Sequence, residues 1–279
     1  MHPALQSGNV AVITGGASGI GFAAAAQFVR LGLKVCIADL PGEGLAAALS
    51  ALRALAPTAQ VMAVPVDVAD AAQITALEAQ VVAELGPVNV LMCNAGMQPG
   101  SSIFDAEANW QHIIDVNMWG VIRSAQVFAP GMIASGLPGL IISTGSKQGI
   151  TTPPGDPAYN LSKAGVKVFT EALQHDLRNR EGCRVEARLF IPGFVFTALT
   201  ARGRTEKPEG AWTPEQTVAF LLHAIEAGDF YILCPDNEVD RTTDEKRILW
   251  AAGDIAHNRA PLSRWHPDYG DAFADWLKQ

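Results

Sequence analysis

The chain has 279 residues, of which 49% are apolar and 17% charged, a size and balance that suit one large α/β domain with a well-covered core. A net charge of −8 with no Lys/Arg run argues against a nucleic-acid partner or an anionic membrane surface. No uninterrupted apolar run approaches the roughly 18–20 residues of a membrane span, and a first strand starting near Asn9 leaves no room for a secretory signal, so a cytoplasmic protein is expected.

Apolar, strand-like runs alternate with longer helical windows from the start. Strands are predicted at 9–14, 34–39, 60–66, 88–93, 139–144 and 183–191, with helices between them at 19–31, 43–55, 70–85, 105–134 and 157–180. Strands this uniformly apolar are buried on both faces, as in a parallel sheet covered by helices, so a doubly wound α/β fold is expected. The stretch 192–212, with Gly193, Gly203, Pro208 and Gly210, reads as a long loop of lid type leading to a helix near Pro214. A seventh strand at 230–234 precedes an extension of about 45 residues. It carries a predicted helix at 241–257 and an end rich in aromatics: Trp265, Tyr269, Phe273 and Trp276. The whole chain, 1–279, reads as one domain, with a core at about 8–235 and the extension after it. Cys36, Cys93, Cys183 and Cys234 sit in or beside apolar stretches without a Cys-x-x-Cys pair, and the histidines lack ligand spacing, so no metal is expected.

Directly after the first strand comes Thr14-Gly15-Gly16-Ala17-Ser18-Gly19-Ile20-Gly21. A glycine turn that opens a helix lets backbone N–H groups, here including those around Ser18 and Ile20, meet a pyrophosphate with the helix dipole behind them. Gly15 permits the turn, Gly19 the approach of phosphate, and Gly21 the packing of helix on sheet. Asp39 ends the second strand, eighteen residues past Gly21, where a carboxylate accepts hydrogen bonds from an adenosine ribose diol. A 2′-phosphate there would meet like charge, and neither Ala17 nor Leu40 supplies a cation, which favours NAD over NADP. The alternative is that Asp39 caps the turn before Pro41.

Tyr159 and Lys163 lie four apart on one helix face, with Ser146 thirteen residues before the tyrosine. A fixed ammonium beside a phenol favours the phenolate and is expected to draw its ordinary pKa of about 10 toward neutrality. A tyrosine tuned in this way exchanges a proton with a substrate oxygen at cellular pH.

Together with Asn94-Ala95-Gly96 and Asn117, these motifs resemble the short-chain dehydrogenase/reductase family over about residues 8–235, in the family's order and spacing. The resemblance implies a Rossmann-type sheet of seven strands with cofactor and substrate sites in one domain. It implies that Asp67 and Val68 flank the adenine, although Asp67 could simply cap the next helix. It also implies that Asn94, Ala95 and Gly96 shape the cofactor floor, and that Pro192, Gly193, Val195 and Thr197 hold the nicotinamide carboxamide. Tyr159 becomes the general acid/base, Lys163 its tuner and the holder of the nicotinamide ribose, and Ser146 the donor to the substrate oxygen. Asn117 becomes the anchor of a water linking Lys163 to solvent, or else an ordinary buried helix amide.

The family's pocket positions map to Met97, Gln98 and Pro99, to 148–150 starting with Gln148, and to Phe194, Phe196 and Leu199. Only Arg202 and Arg204, on the lid, offer cations nearby. The implied activity is NAD-dependent interconversion of a hydrophobic, aryl or alicyclic, secondary alcohol and its ketone, by a homodimer or homotetramer. The alternatives are a non-catalytic NAD-binding sensor and a family member acting on sugars or C=C bonds. The C-terminal extension departs from the family's short ending, and is expected either to cover its own subunit or to cross to a neighbour.

Overall fold

The computed structural model describes residues 1–201 and 203–278, so the predicted lid cation Arg202 lies outside the described residues. Seven strands form one parallel sheet: β1 (Val10–Thr14), β2 (Lys34–Asp39), β3 (Val61–Pro65), β4 (Val88–Cys93), β5 (Gly139–Thr144), β6 (Val185–Ile191) and β7 (Tyr231–Leu233). Their order is β3-β2-β1-β4-β5-β6-β7. The chain starts mid-sheet, winds outward to β3 and returns to β4 beside β1. This reversal opens a crevice at the carboxyl ends of β1 and β4, where ligands of such sheets bind.

Alternate strand residues face opposite layers. Ile13, Ile37, Met92, Ile142 and Phe190 pack under α1 (Gly19–Arg30), α2 (Glu43–Leu55) and α9 (Pro214–Ala227). Val12, Cys36, Leu91, Ile141 and Leu189 pack under α3 (Ala71–Leu85), α5 (Gly120–Ala134) and α7 (Pro157–Arg178). Both faces are therefore dry, as the unbroken apolar strands require. Burial of a large side chain such as Phe28 or Phe190, each wholly inside, contributes about 2–3 kcal/mol. In α1 the run Ala23-Ala24-Ala25-Ala26 is buried, which lets that helix lie close to the sheet and to α9. Among the described residues no helix is long and apolar enough to cross a membrane.

Three departures from the sequence expectation bear on the site. The window 105–134 is not one helix: α4 (Glu107–Ile114) passes through a π-helical turn at Asp115–Trp119 before α5 begins. Such wide turns commonly mark functional positions, and this one contains the buried Asn117. A short helix, α6 (Gln148–Thr151), follows Ser146 where none was predicted. The stretch 192–212 is less free than a plain loop, because it holds α8 (Ala198–Ala201) and is tied back on itself by a bridge between Val195 and Trp212.

The extension, finally, folds around a single tryptophan. Trp250, on α10 (Arg241–Ala256), packs edge-on to Phe273 and tilted to Trp276, both on α11 (Gly270–Lys278). Its indole N–H donates to Ser263 Oγ at 2.8 Å, and the Arg259 guanidinium stacks 4.0 Å over its ring. α10 lies against α6, beside the site.

Candidate active site

The loop between β1 and α1 is shaped by close backbone approach. Gly15 and Gly19 have φ of +65° and +52°, in the left-handed region that disfavours side chains. A Cβ on Gly21 would lie 2.0 Å from the Gly15 carbonyl oxygen, so only glycine lets the helix start there. The Asn94 amide donates to that same carbonyl at 3.1 Å, and Thr14 Oγ1 accepts the backbone N–H groups of Asn94 and Ala95. The glycine turn and the Asn94-Ala95-Gly96 segment are thus one bonded floor.

A cavity of about 380 Å³ runs over this floor, within the size range of small-molecule sites. Gly15, Ser18, Gly19 and Ile20 line it, with Asp39 and Leu40 after β2 and Asp67 and Val68 after β3. Asn94, Ala95, Gly96 and Met97 follow β4, and Ser146, Tyr159 and Lys163 converge from β5 and α7. Pro192, Gly193, Val195, Thr197 and Leu199 complete the wall. The glycine cradle at one end of the helix α1 and the acidic side chain of Asp39 beside it fit a dinucleotide. Asp39 Oδ2 accepts the Ala17 N–H at 2.9 Å and Oδ1 that of Leu40 at 2.8 Å, so the carboxylate both braces the glycine turn and borders the cavity.

At the catalytic end, Lys163 is buried and its ammonium donates to the Thr144 carbonyl at 2.9 Å, lying 5.8 Å from the Tyr159 ring centre. Burial pulls the Lys163 pKa down to about 8. It pushes the Tyr159 phenol up to about 12; the adjacent Ser146 hydroxyl pulls the other way and the Asp156 carboxylate adds to the rise. Burial thus opposes the lowering of the Tyr159 pKa that its spacing to Lys163 leads one to expect. The Gln148 N–H donates to Ser146 Oγ at 3.2 Å, which fixes the serine from the unpredicted helix α6.

The Asn117 side chain finds its partners within the protein. Its Oδ1 accepts the Met97 N–H at 2.8 Å, and its Nδ2 donates to the Met97 carbonyl at 2.9 Å and to Ser162 Oγ at 3.3 Å. It thus staples the strand-end loop to α7 one residue before Lys163.

Of the nine predicted pocket positions, Met97 and Leu199 line the cavity. Gln98 and Gln148 are instead bonded to each other at 3.1 Å, and Gln98 also donates to Asp156. Phe194 and Phe196 flank the buried Val195 and do not line the cavity, because the bridge to Trp212 fixes which face of that segment turns inward. The sequence reading missed His112 and Val116, which enter the wall from α4 and the π-helical turn. Their helical spacing to Asn117 was visible, but not the turn that aims them.

A seven-stranded parallel sheet with a glycine cradle at its switch point, and Ser146, Tyr159 and Lys163 beside it, defines a nicotinamide-dependent oxidoreductase of Rossmann type. Residues 9–208 match the family model described as short chain dehydrogenase, and the chain belongs to that family. It is 30% identical over 249 residues to the 1-deoxy-11-beta-hydroxypentalenate dehydrogenase of Streptomyces avermitilis, covering 87% of this chain and 90% of that one. It is 32% identical over 194 residues to the 3alpha-hydroxysteroid dehydrogenase of Mediterraneibacter gnavus, covering 69% and 76%. Among solved structures, a short chain dehydrogenase/reductase from Burkholderia phymatum in complex with NAD superposes with a TM-score of 0.83 at 31% identity, covering 94% of this chain and 98% of that one.

Proposed function

We propose that this chain is an NAD(H)-dependent alcohol dehydrogenase or carbonyl reductase, acting on a hydrophobic, aryl or alicyclic, secondary alcohol and its ketone. The observation that carries the reading is the convergence of Ser146, Tyr159 and Lys163 on the cavity that begins at Asp39 and the glycine cradle. When bound, the nicotinamide supplies the hydride acceptor or donor. Tyr159 gives its phenolic proton to the carbonyl oxygen in reduction, and in oxidation its phenolate accepts the proton of the alcohol. Ser146 donates a hydrogen bond to the same oxygen and stabilises the charge developing on it. Lys163 places an ammonium beside the phenol and is the residue we assign to the nicotinamide ribose. Asn117 keeps the Met97 and α7 sides of the site in register.

NAD is favoured over NADP because Asp39 meets a 2′-phosphate with like charge, and the cavity wall brings no arginine among the described residues. NAD in the Burkholderia phymatum structure supports the same choice. The apolar Met97, Val116 and Leu199 support a hydrophobic substrate, as do relatives named for a hydroxypentalenate and a hydroxysteroid. We take the working form to be a cytoplasmic homodimer or homotetramer, which sedimentation tests.

The experiment is a spectrophotometric screen of alcohols and ketones with NAD(H) and NADP(H) in parallel, run on the natural chain and on Tyr159→Phe. Turnover of aryl or alicyclic substrates with NAD, lost in Tyr159→Phe while NADH still binds, is expected. Near-native turnover by the variant would overturn the mechanism. A strong NADP preference would overturn the Asp39 assignment, and a preference for charged polyols or thioesters the substrate class.

A further inference from the structure

Outside the cavity, one buried charge cluster is not needed for the chemistry above. Lys147 follows Ser146 directly, and its ammonium lies 3.1 Å from Asp236 Oδ2 and 2.6 Å from Asp244 Oδ2. Both carboxylates are almost wholly buried, and the lysine nearly so. Asp236, just past β7, also accepts the Phe194 N–H on the same Oδ2 at 3.1 Å, while its Oδ1 accepts the N–H groups of Glu238 and Val239. Asp244 comes from α10 of the extension. A Cβ on Gly193 would fall 2.7 Å from Asp236 Oδ2 and 3.0 Å from Lys147 Nζ, so a side chain there would press on the cluster.

The segment that Lys147 anchors touches the catalytic groups on two sides. Gln148 bonds Ser146 Oγ through its backbone, and a Cβ on Gly149 would sit 2.4 Å from the backbone carbon of Lys163. α6 is therefore a wedge in contact with the serine and the lysine of the site, and Lys147 at its start is held by the charge cluster. Through Asp236, the same cluster holds the 192–197 segment at Phe194.

We propose that Lys147, clamped by Asp236 and Asp244, is a positioning residue. It fixes Ser146 and the 192–197 segment relative to Tyr159, so that the C-terminal extension of the same chain sets the alignment of the catalytic groups. The inference rests on the oxidoreductase reading above. Neither carboxylate nor Lys147 touches the reacting atoms; they act through Ser146 and the Phe194 backbone. A small misplacement of a reacting group costs up to about a hundredfold in rate.

Two measurements on the full chain test it. In the first, Lys147→Met, Lys147→Arg and Asp236→Ala are assayed for kcat and KM, with turnover divided by the number of dinucleotide-binding sites so that unfolded protein does not count. Lys147→Met and Asp236→Ala are expected to lose roughly 10- to 100-fold in kcat per site with dinucleotide affinity within about threefold. Lys147→Arg, which keeps the charge, is expected to recover most of the loss. A kcat per site within twofold of the natural chain in both neutral variants would overturn the proposal. So would equal losses in Lys147→Arg and Lys147→Met.

The second measurement needs no turnover. Amide hydrogen exchange of the peptide containing Phe194 is followed in Asp236→Ala and in Asp244→Asn, the milder change should Lys147→Met not fold. Faster exchange at that peptide supports the clamp, and an unchanged rate refutes it. If the natural chain turns over no alcohol or ketone, the reading of the reaction fails, and the exchange result still decides the clamp.

Discussion

Lys163→Met is expected to abolish turnover and at the same time to stabilise the protein at neutral pH. The ammonium sits in an almost dry site, and burial lowers its pKa from the ordinary 10.5 to about 8. For a base with a depressed folded-state pKa, the penalty is present in full below about pH 8, where folded and unfolded chains both carry the proton. Between about 8 and 10.5 the folded chain has released the proton and the unfolded chain has not, so the penalty shrinks as pH rises, and it is gone above that window. At about 1.4 kcal/mol per pH unit the full penalty is about 3 kcal/mol. Methionine fills much the same space without the charge, but strands the Thr144 carbonyl, which Lys163 now satisfies at 2.9 Å. An orphaned buried carbonyl costs about 1–3 kcal/mol, leaving a net gain of about 1 kcal/mol.

That corresponds to a Tm rise of about 2–4 °C at pH 7. Melting both proteins from pH 7 to 10.5 by circular dichroism should show the variant ahead at pH 7 and the gap closing, then reversing, as pH rises. A variant already less stable at pH 7, or a gap that does not move with pH, would refute the burial argument for Lys163. The same argument supports Tyr159 as a neutral proton donor.

Gly21→Ala drives a Cβ to 2.0 Å from the Gly15 carbonyl, where backbone rather than a pliable side chain must give way; titration of NADH fluorescence should show at least a tenfold loss of affinity, and unchanged affinity would deny the cradle its role. Asp39→Ser removes the charge opposing a 2′-phosphate and should raise the ratio of kcat/KM for NADP over NAD by about tenfold or more, the two being measured side by side. The cost is some stability, since the carboxylate also braces Ala17 and Leu40. Trp250→Ala removes the packing centre of Phe273 and Trp276 and the Arg259 stack. We expect a loss of about 3–5 kcal/mol in urea melts and early proteolytic cleavage beyond residue 240.

What the sequence disclosed, and what it did not, divides by the range of the interactions. The strands and long helices are set by residues a few positions apart, and β2, β4 and β5 fall on the predicted bounds because apolar runs and breakers are local signals. The cavity wall at Gly15 and Asp39 was equally legible, since a parallel sheet delivers its β-to-α turns to the same edge, while Tyr159 and Lys163 were read from their helical spacing and Asp67 from the family resemblance. The misses all depend on a partner far along the chain. α6 has four residues and no periodic signal of its own, and lies where Gly149 allows contact with the Lys163 backbone. Asn117 is turned inward by a π-helical turn whose reward is the Met97 backbone, twenty residues upstream. Phe194 and Phe196 were assigned to the pocket by position, but the bridge from Val195 to Trp212 decides which side chains point in.

At Tyr159 the spacing identifies a neighbour of the phenol but not how far burial opposes its ionisation. A four-residue spacing shows that an ammonium can lie near a phenol. It does not show that both are dry, or that the ammonium's first partner is the Thr144 carbonyl. Burial disfavours the phenolate and the ammonium alike, so the lysine that was to lower the tyrosine is itself held down to about 8. Spacing along a helix thus brings the phenol and the ammonium together, whereas the core that β4, β5 and α7 build around them disfavours the charge of both.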